Sequence, residues 1–248
     1  MPAGRVGPTQ AAAALADLRS RGVNYDPARA PGGARPEGHW HLDATETVIA
    51  QEPAGAPVPG GPWERACRLV GRYEFTDPAI VRAVYRRGEN LLGRDMLLEG
   101  RFFGLRFYLG VRVTAVIEET RGVDSAAQQV CGWSYQTLEG HLEQGRLSYE
   151  VIKYLGSGDV SFRLSGYSRP APIPNPVVRC GFGLFGRWTQ ERFYRGAQAR
   201  LGDLADASGY RAPLPEPAVR ADGLVFVPTG SSFRGPTRLA RGSRHPGR

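Results

Sequence analysis

The stretch over 130–170, VCGWSYQTLEGHLEQGRLSYEVIKYLGSGDVSFRLSGYSRP, limits the fold more than any other part of the chain. Leu147, Tyr149 and Val151 alternate with Ser148 and Glu150, and Val160, Phe162 and Leu164 alternate with Ser161, Arg163 and Ser165. A period of two is the signature of a strand with one apolar face. The connections, at 139–145 and 156–159, are too short for the crossover that parallel strands require. The segment is therefore expected to be an antiparallel meander of three strands.

The same period runs upstream. Leu105, Phe107, Leu109, Val111, Val113, Ala115 and Ile117 share one face, with Arg106, Tyr108, Arg112, Thr114 and Glu118 on the other. This predicts a long strand covered on one side only, preceded by a shorter one over 97–103. HWHLDATETVIAQ, at 39–51, reads as the first strand. Trp63, Ala66, Cys67 and Val70 have helical spacing. Asp77-Pro78 is a helix-start signal and predicts a second short helix over 78–87, with Ile80, Val81, Val84 and Tyr85 inward. Thr9 is placed to cap an Ala-rich helix over 10–19. Near the other end, Trp188, Phe193, Ala197, Leu201 and Leu204 form the stripe of a helix over 185–205, whose Arg187, Arg192, Arg195 and Arg200 face water. The fold class is thus α+β: a curved antiparallel sheet wrapped around a long C-terminal helix, with two short helices after the first strand. That is a helix grip.

The division this implies is a peripheral helix and loop over 1–38, the helix-grip domain over 39–207 and a basic, irregular tail over 208–248. The tail carries seven Arg against two acidic residues from 211 onward, most of the chain's net charge of +8. Attachment to nucleic acid or an anionic surface through it ranks last among the functional readings. No run of apolar residues is long enough to span a membrane, and the N-terminal stretch lacks the apolar core of a signal peptide. Cys67, Cys131 and Cys180 are odd in number and lack CxxC spacing, an argument against disulfides or zinc and for a reducing cytoplasm. No cofactor is implied.

Three segments carry a family resemblance. WSYQTLEGHLEQG (133–145) is similar to an aromatic strand followed by GTLxGHxExGE. GYSRPA (166–171) is similar to an SxxSRPA-like strand ending, and RPEGHWHL (35–42) to a proline–glycine–aromatic opening. On these residues the chain resembles a bacterial and plant family of the START-like helix-grip (SRPBCC) superfamily, described only as a domain of unknown function. Gln136 and Leu142 stand where that family often has Gly and Pro. The resemblance implies a fold and a ligand-holding interior, but no established chemistry.

The candidate site residues follow from this layout. Val113, Phe162, Leu164, Phe193 and Ala197 would line a cavity of the usual ligand size, about 300–1,000 Å3, between sheet and helix. Tyr135 and Tyr149, with Tyr167, could bond a ligand oxygen, and Arg169 could clamp a carboxylate or pair with Glu139 or Glu143. The most polar cluster is Glu139, His141 and Glu143. Were the strand to continue through them, they would share a face, with His141 as general base and Glu143 orienting it. Alternatively, they form a hairpin loop in which His141 holds the turn. His39 and His41 read as surface residues. The leading expectation is a binding module for an apolar or amphipathic small molecule, and the alternative is an enzyme of the cyclase, dehydratase or hydrolase type.

Overall fold

The computed structural model describes residues 8–102, 105–172, 176–205, 213–217 and 219–231, and their side chains other than those of 8–10, 102, 105 and 176–187. Thr9, Cys180 and Arg187 fall outside the described side chains, as does most of the tail.

Eight antiparallel strands form one sheet in the order β1-β7-β6-β5-β4-β3-β2-β8. They are β1 (His41–Gln51), β2 (Val81–Arg86), β3 (Asp95–Phe102), β4 (Leu105–Arg121), β5 (Gln128–Thr137), β6 (Glu143–Tyr154), β7 (Asp159–Pro170) and β8 (Leu224–Val227). Helices α1 (Pro8–Leu18), α2 (Pro62–Gly71) and α3 (Pro176–Ala205) complete the fold. The meander is present as expected, with Trp133 opposite Tyr149 and Tyr149 opposite Leu164. These residues point to the inner face, where α2 and α3 pack over them around one apolar core. Phe193, Tyr194, Ala197, Gln198, Leu201 and Ala205 form the buried face of α3. Gln198 also donates to Thr45 Oγ1 (3.3 Å) on β1.

Several expectations are corrected. The segment predicted as a helix over 78–87 is a single turn followed by β2. Asp77 does accept from the Ala79 amide (2.7 Å), as a cap would, but the chain then pairs Val84 with Leu97 and with Phe226. Both faces of β2 are buried, so its apolar run has no clean period and reads equally as helix or strand. Its outer neighbour β8 lies within the segment expected to be an irregular tail.

The helix α1 is more than peripheral. Ala11, Leu15 and Leu18 pack with Val84, Leu97, Leu138, Leu224 and Phe226 in a second apolar cluster on the outer face. This part of the sheet is therefore covered on both sides. A Cβ on Gly110 would lie 2.4 Å from Leu18 Cδ2, so the glycine admits the helix. On β4 a register shift between Val113 and Ala115 places Ala115 opposite Ser134 and Val116 opposite Trp133. Such a bulge reverses the pleat, and Ala115 and Ile117 leave the face that Val111 and Val113 keep. Trp188, expected in the buried stripe, is 49% exposed with Arg192 over its ring.

Cys67 and Cys131 form a disulfide, against the expectation of free thiols. Trp133 Nε1 donates to Val70 O (3.0 Å) beside it, so β5 holds α2 by a covalent and a polar link.

Candidate functional site

At one end of the inner face, aromatic and acidic side chains from five elements converge. Tyr73 follows the C-terminus of α2, Tyr135 lies on β5, Tyr149 and Glu143 on β6, and Tyr194 on α3; Asp43 completes the set from β1. Tyr73 sits at φ 62°, a conformation that favours glycine. The amides of Tyr73 and Glu74 bond back to Val70 O (3.1 Å) and Leu69 O (2.9 Å), the closure of a helix C-terminus in which glycine is usual. The tyrosine ring offsets the strain of that conformation by meeting Phe75, Trp133 and Tyr149.

The hydroxyls of Tyr73 and Tyr149 are buried and make no well-formed hydrogen bond, although they and the Tyr135 hydroxyl lie close enough to influence one another. Burial raises the pKa of both, and the neighbouring phenols Tyr135 and Tyr73 add to the effect on Tyr149. Burial likewise raises Tyr135 and Tyr194, with Asp43, Tyr135 and Glu143 contributing to the latter. All four are neutral donors at ordinary pH. The Glu143 carboxyl is raised to about 7 by burial and, secondarily, by the charge of Asp43. The set offers phenolic O–H groups and a carboxyl titrating near neutrality at the edge of the apolar core.

Of the predicted residues, Val113, Tyr149, Phe162, Leu164 and Ala197 are fully buried and Phe193 nearly so, all in the main core, with Tyr135 partly buried against them. Arg169 is not brought to them. It lies on the outer face, its guanidinium 4.2 Å from the Trp40 ring and its Nε donating to Gln144 Oε1 (2.7 Å). Its partners are thus an aromatic face and an amide, not the acids expected. Tyr167 is also outside, sharing a hydroxyl–hydroxyl bond with Tyr25 (3.1 Å).

The line of Glu139, His141 and Glu143 does not form, because β5 ends at Thr137 and β6 begins at Glu143. Gly140, at φ 87°, turns the chain between them. Glu139 points to solvent, while its carbonyl accepts from Arg21 (2.7 Å). His141 Nδ1 accepts from the Glu143 amide (2.9 Å), so the imidazole braces the turn. The two residues meet through the Glu143 main chain, and burial lowers His141 to about 4.

Sequence reasoning missed Tyr73, Asp43 and Tyr194. Tyr194 had the best signal, being next to Phe193 and three residues before Ala197 on the same helix face. Tyr73 had none, since a helix-terminal tyrosine reads as an ordinary loop residue. Among the described residues no group of three or more His, Cys, Asp or Glu could hold a metal, and no helix is long and apolar enough to cross a membrane.

No curated protein matches the chain in sequence. Among solved structures, Ara h 8.0201 is similar at 14% identity and a TM-score of 0.40, covering 68% of this chain and 100% of its own. A norcoclaurine synthase point mutant from Thalictrum, bound to a transition-state analogue, is similar at 11% identity and 0.40, covering 66% and 94%. A START superfamily protein from Mycobacterium smegmatis is similar at 16% and 0.38, covering 67% and 99%. A family model described as a domain of unknown function matches residues 24–200, well over half the chain. The hairpin, the strand ending and the aromatic opening all fall within that match, and the protein belongs to this family, DUF1990.

Proposed function

We propose that the inner face of the sheet, beneath α3, binds a small molecule with an apolar body and one hydrogen-bonding end. The observation that carries this reading is the cluster of buried phenols, Tyr73, Tyr135 and Tyr149, in which the Tyr73 and Tyr149 hydroxyls make no well-formed hydrogen bond. A buried polar group left without a partner costs about 1–3 kcal/mol, and a ligand oxygen placed between them removes that cost. The apolar surroundings of Val113, Phe162, Leu164, Phe193 and Ala197 suit the rest of such a molecule. Tyr149→Phe tests it. The variant deletes a hydroxyl that makes no well-formed bond, so the ligand-free protein should keep its stability to within about 1 kcal/mol. Binding of the apolar reporter anilinonaphthalene sulfonate should weaken about tenfold. Absence of saturable reporter binding by the wild-type chain contradicts the proposal.

Proton transfer at the same end is the second reading, favoured by Glu143, whose carboxyl at about 7 suits a general acid or base. His141 as the base is less supported, with Nδ1 committed to the turn. In this reading Glu143→Gln abolishes turnover and leaves reporter binding intact.

A further inference from the structure

The outer face of the sheet carries a groove of about 480 Å3, on the side away from the proposed interior site. Leu42, Ala44, Arg146, Ser148, Ser165 and Tyr167 contribute to its lining. Strand register puts these residues in two adjacent rows. Leu42, Tyr167, Arg146 and Gln136 are opposite one another in turn across β1, β7, β6 and β5; so are Ala44, Ser165, Ser148 and Ser134. The second row is built of small side chains and makes the floor.

Arg146 is held in a defined pose. Its Nε and Nη2 both donate to Ser134 Oγ, at 3.1 and 2.9 Å, and Ser134 is itself buried. Nη1 remains for another acceptor. Nearby outer-face arginines have carboxylates: Arg112 pairs with Asp95, Arg121 with Glu150 and Arg163 with Glu46. Arg146 has none among the described residues. The Glu46–Arg163–Glu150–Arg121 chain that borders the floor is satisfied within itself. Arg146 is therefore a guanidinium without a described ion-pair partner in a groove whose lining also includes Asp43, a β1 residue between the outward-facing Leu42 and Ala44. The Ser148 and Ser165 hydroxyls likewise have no bond among the described residues, and Leu42, 71% exposed, stands with the Tyr167 ring as an apolar wall.

We propose that this groove binds a small polyhydroxylated anion, a sugar acid or a sugar phosphate. The carboxylate or phosphate meets Arg146 through charge-assisted hydrogen bonds. Hydroxyls of the sugar exchange bonds with Ser148 and Ser165, and the C–H face of its ring packs on Tyr167 and Leu42. An apolar ligand would leave the guanidinium and both hydroxyls desolvated and unpaired. A bare inorganic anion would engage only Arg146 and leave most of the groove empty.

Titration calorimetry of the full chain tests this with glucose 6-phosphate, glucuronate, glucose and inorganic phosphate as probes. At least one of the two anionic sugars should bind about tenfold more tightly than either glucose or inorganic phosphate. Comparing those two shows whether phosphate or carboxylate is the preferred anion. Arg146→Gln should weaken that binding at least about tenfold, and Ser148→Ala with Ser165→Ala severalfold, at unchanged melting temperature. If Arg146→Gln does not fold, the serine double variant decides, because its partly exposed hydroxyls anchor nothing else. No binding of either anionic sugar below about 10 mM, equal affinity for inorganic phosphate, or binding indifferent to these variants overturns the proposal.

Discussion

His141 and Glu143, two residues apart, respond to pH in opposite senses. Glu143 has its folded pKa raised to about 7, so the folded chain holds this proton more tightly than the unfolded one. Its contribution to stability is present below the ordinary glutamate pKa and is lost as pH rises toward 7. His141, lowered to about 4, is kept neutral while the unfolded chain takes up a proton. Its contribution is present above about 6.5 and is lost as pH falls toward 4. Between these limits the two oppose each other, and wild-type stability is expected to vary little with pH on their account. Glu143→Gln should expose a loss of stability on acidification from 6.5, and His141→Gln a gain on acidification from 7. Urea unfolding at several pH values measures both, and parallel profiles for the two variants would refute the assignment. A second residue-scale prediction concerns Lys153, the chain's single lysine, fully buried and 2.5 Å from Glu52. Glu52 also accepts from the amides of Val58 and Trp63, pinning the loop that leads into α2. Lys153→Met leaves that carboxylate buried without its counter-charge and should cost about 3–5 kcal/mol in urea unfolding. A cost below about 1 kcal/mol would show that the pair is not what holds the loop.

At the scale of elements, alternation made the meander legible, because each of its strands has one buried and one wetter face. The same signal failed where a strand is buried on both sides. β2 reads VRAVYR, with Ala83 and Tyr85 buried in the inner core and Val84 buried against α1 on the outer face. The bulge after Val113 was also illegible, since nothing in VTAVIE marks the point at which the pleat reverses. The Cys67–Cys131 bond joins residues 64 apart, and only the docking of α2 on β5 brings them together. Coverage by α1 yields a test. Gly110→Val places side-chain atoms where Leu18 now sits and should destabilise the chain by about 1–3 kcal/mol. In a chain lacking residues 1–20 the same substitution should cost far less, because its steric partner is gone. Equal costs in the two backgrounds, by thermal melting, would show that α1 does not dock as described.

Taken whole, the molecule is a sheet with a proposed binding site on each face. One half of the outer face is closed by α1, the other half is the open groove at Arg146, and the inner face is roofed by α2 and α3. The apolar part of the proposed interior site could be read directly, as Phe162, Leu164, Phe193 and Ala197 fall where their periods put them. Of its polar end, Tyr135, Tyr149 and Glu143 could be singled out on their strands, but Tyr73, Tyr194 and Asp43 could not. That end is assembled from β1, β5, β6, α3 and the terminus of α2, and no local pattern records which of their side chains converge. Arg169 shows the converse, since it matched a ligand-clamp pattern yet faces outward against Trp40. Native mass spectrometry of the full chain purified from its own source tests the interior site most directly. The wild-type protein should carry a small molecule with an apolar body, retained under gentle ionisation and depleted in Tyr149→Phe. Recovery of the bare polypeptide mass alone from both proteins would contradict it.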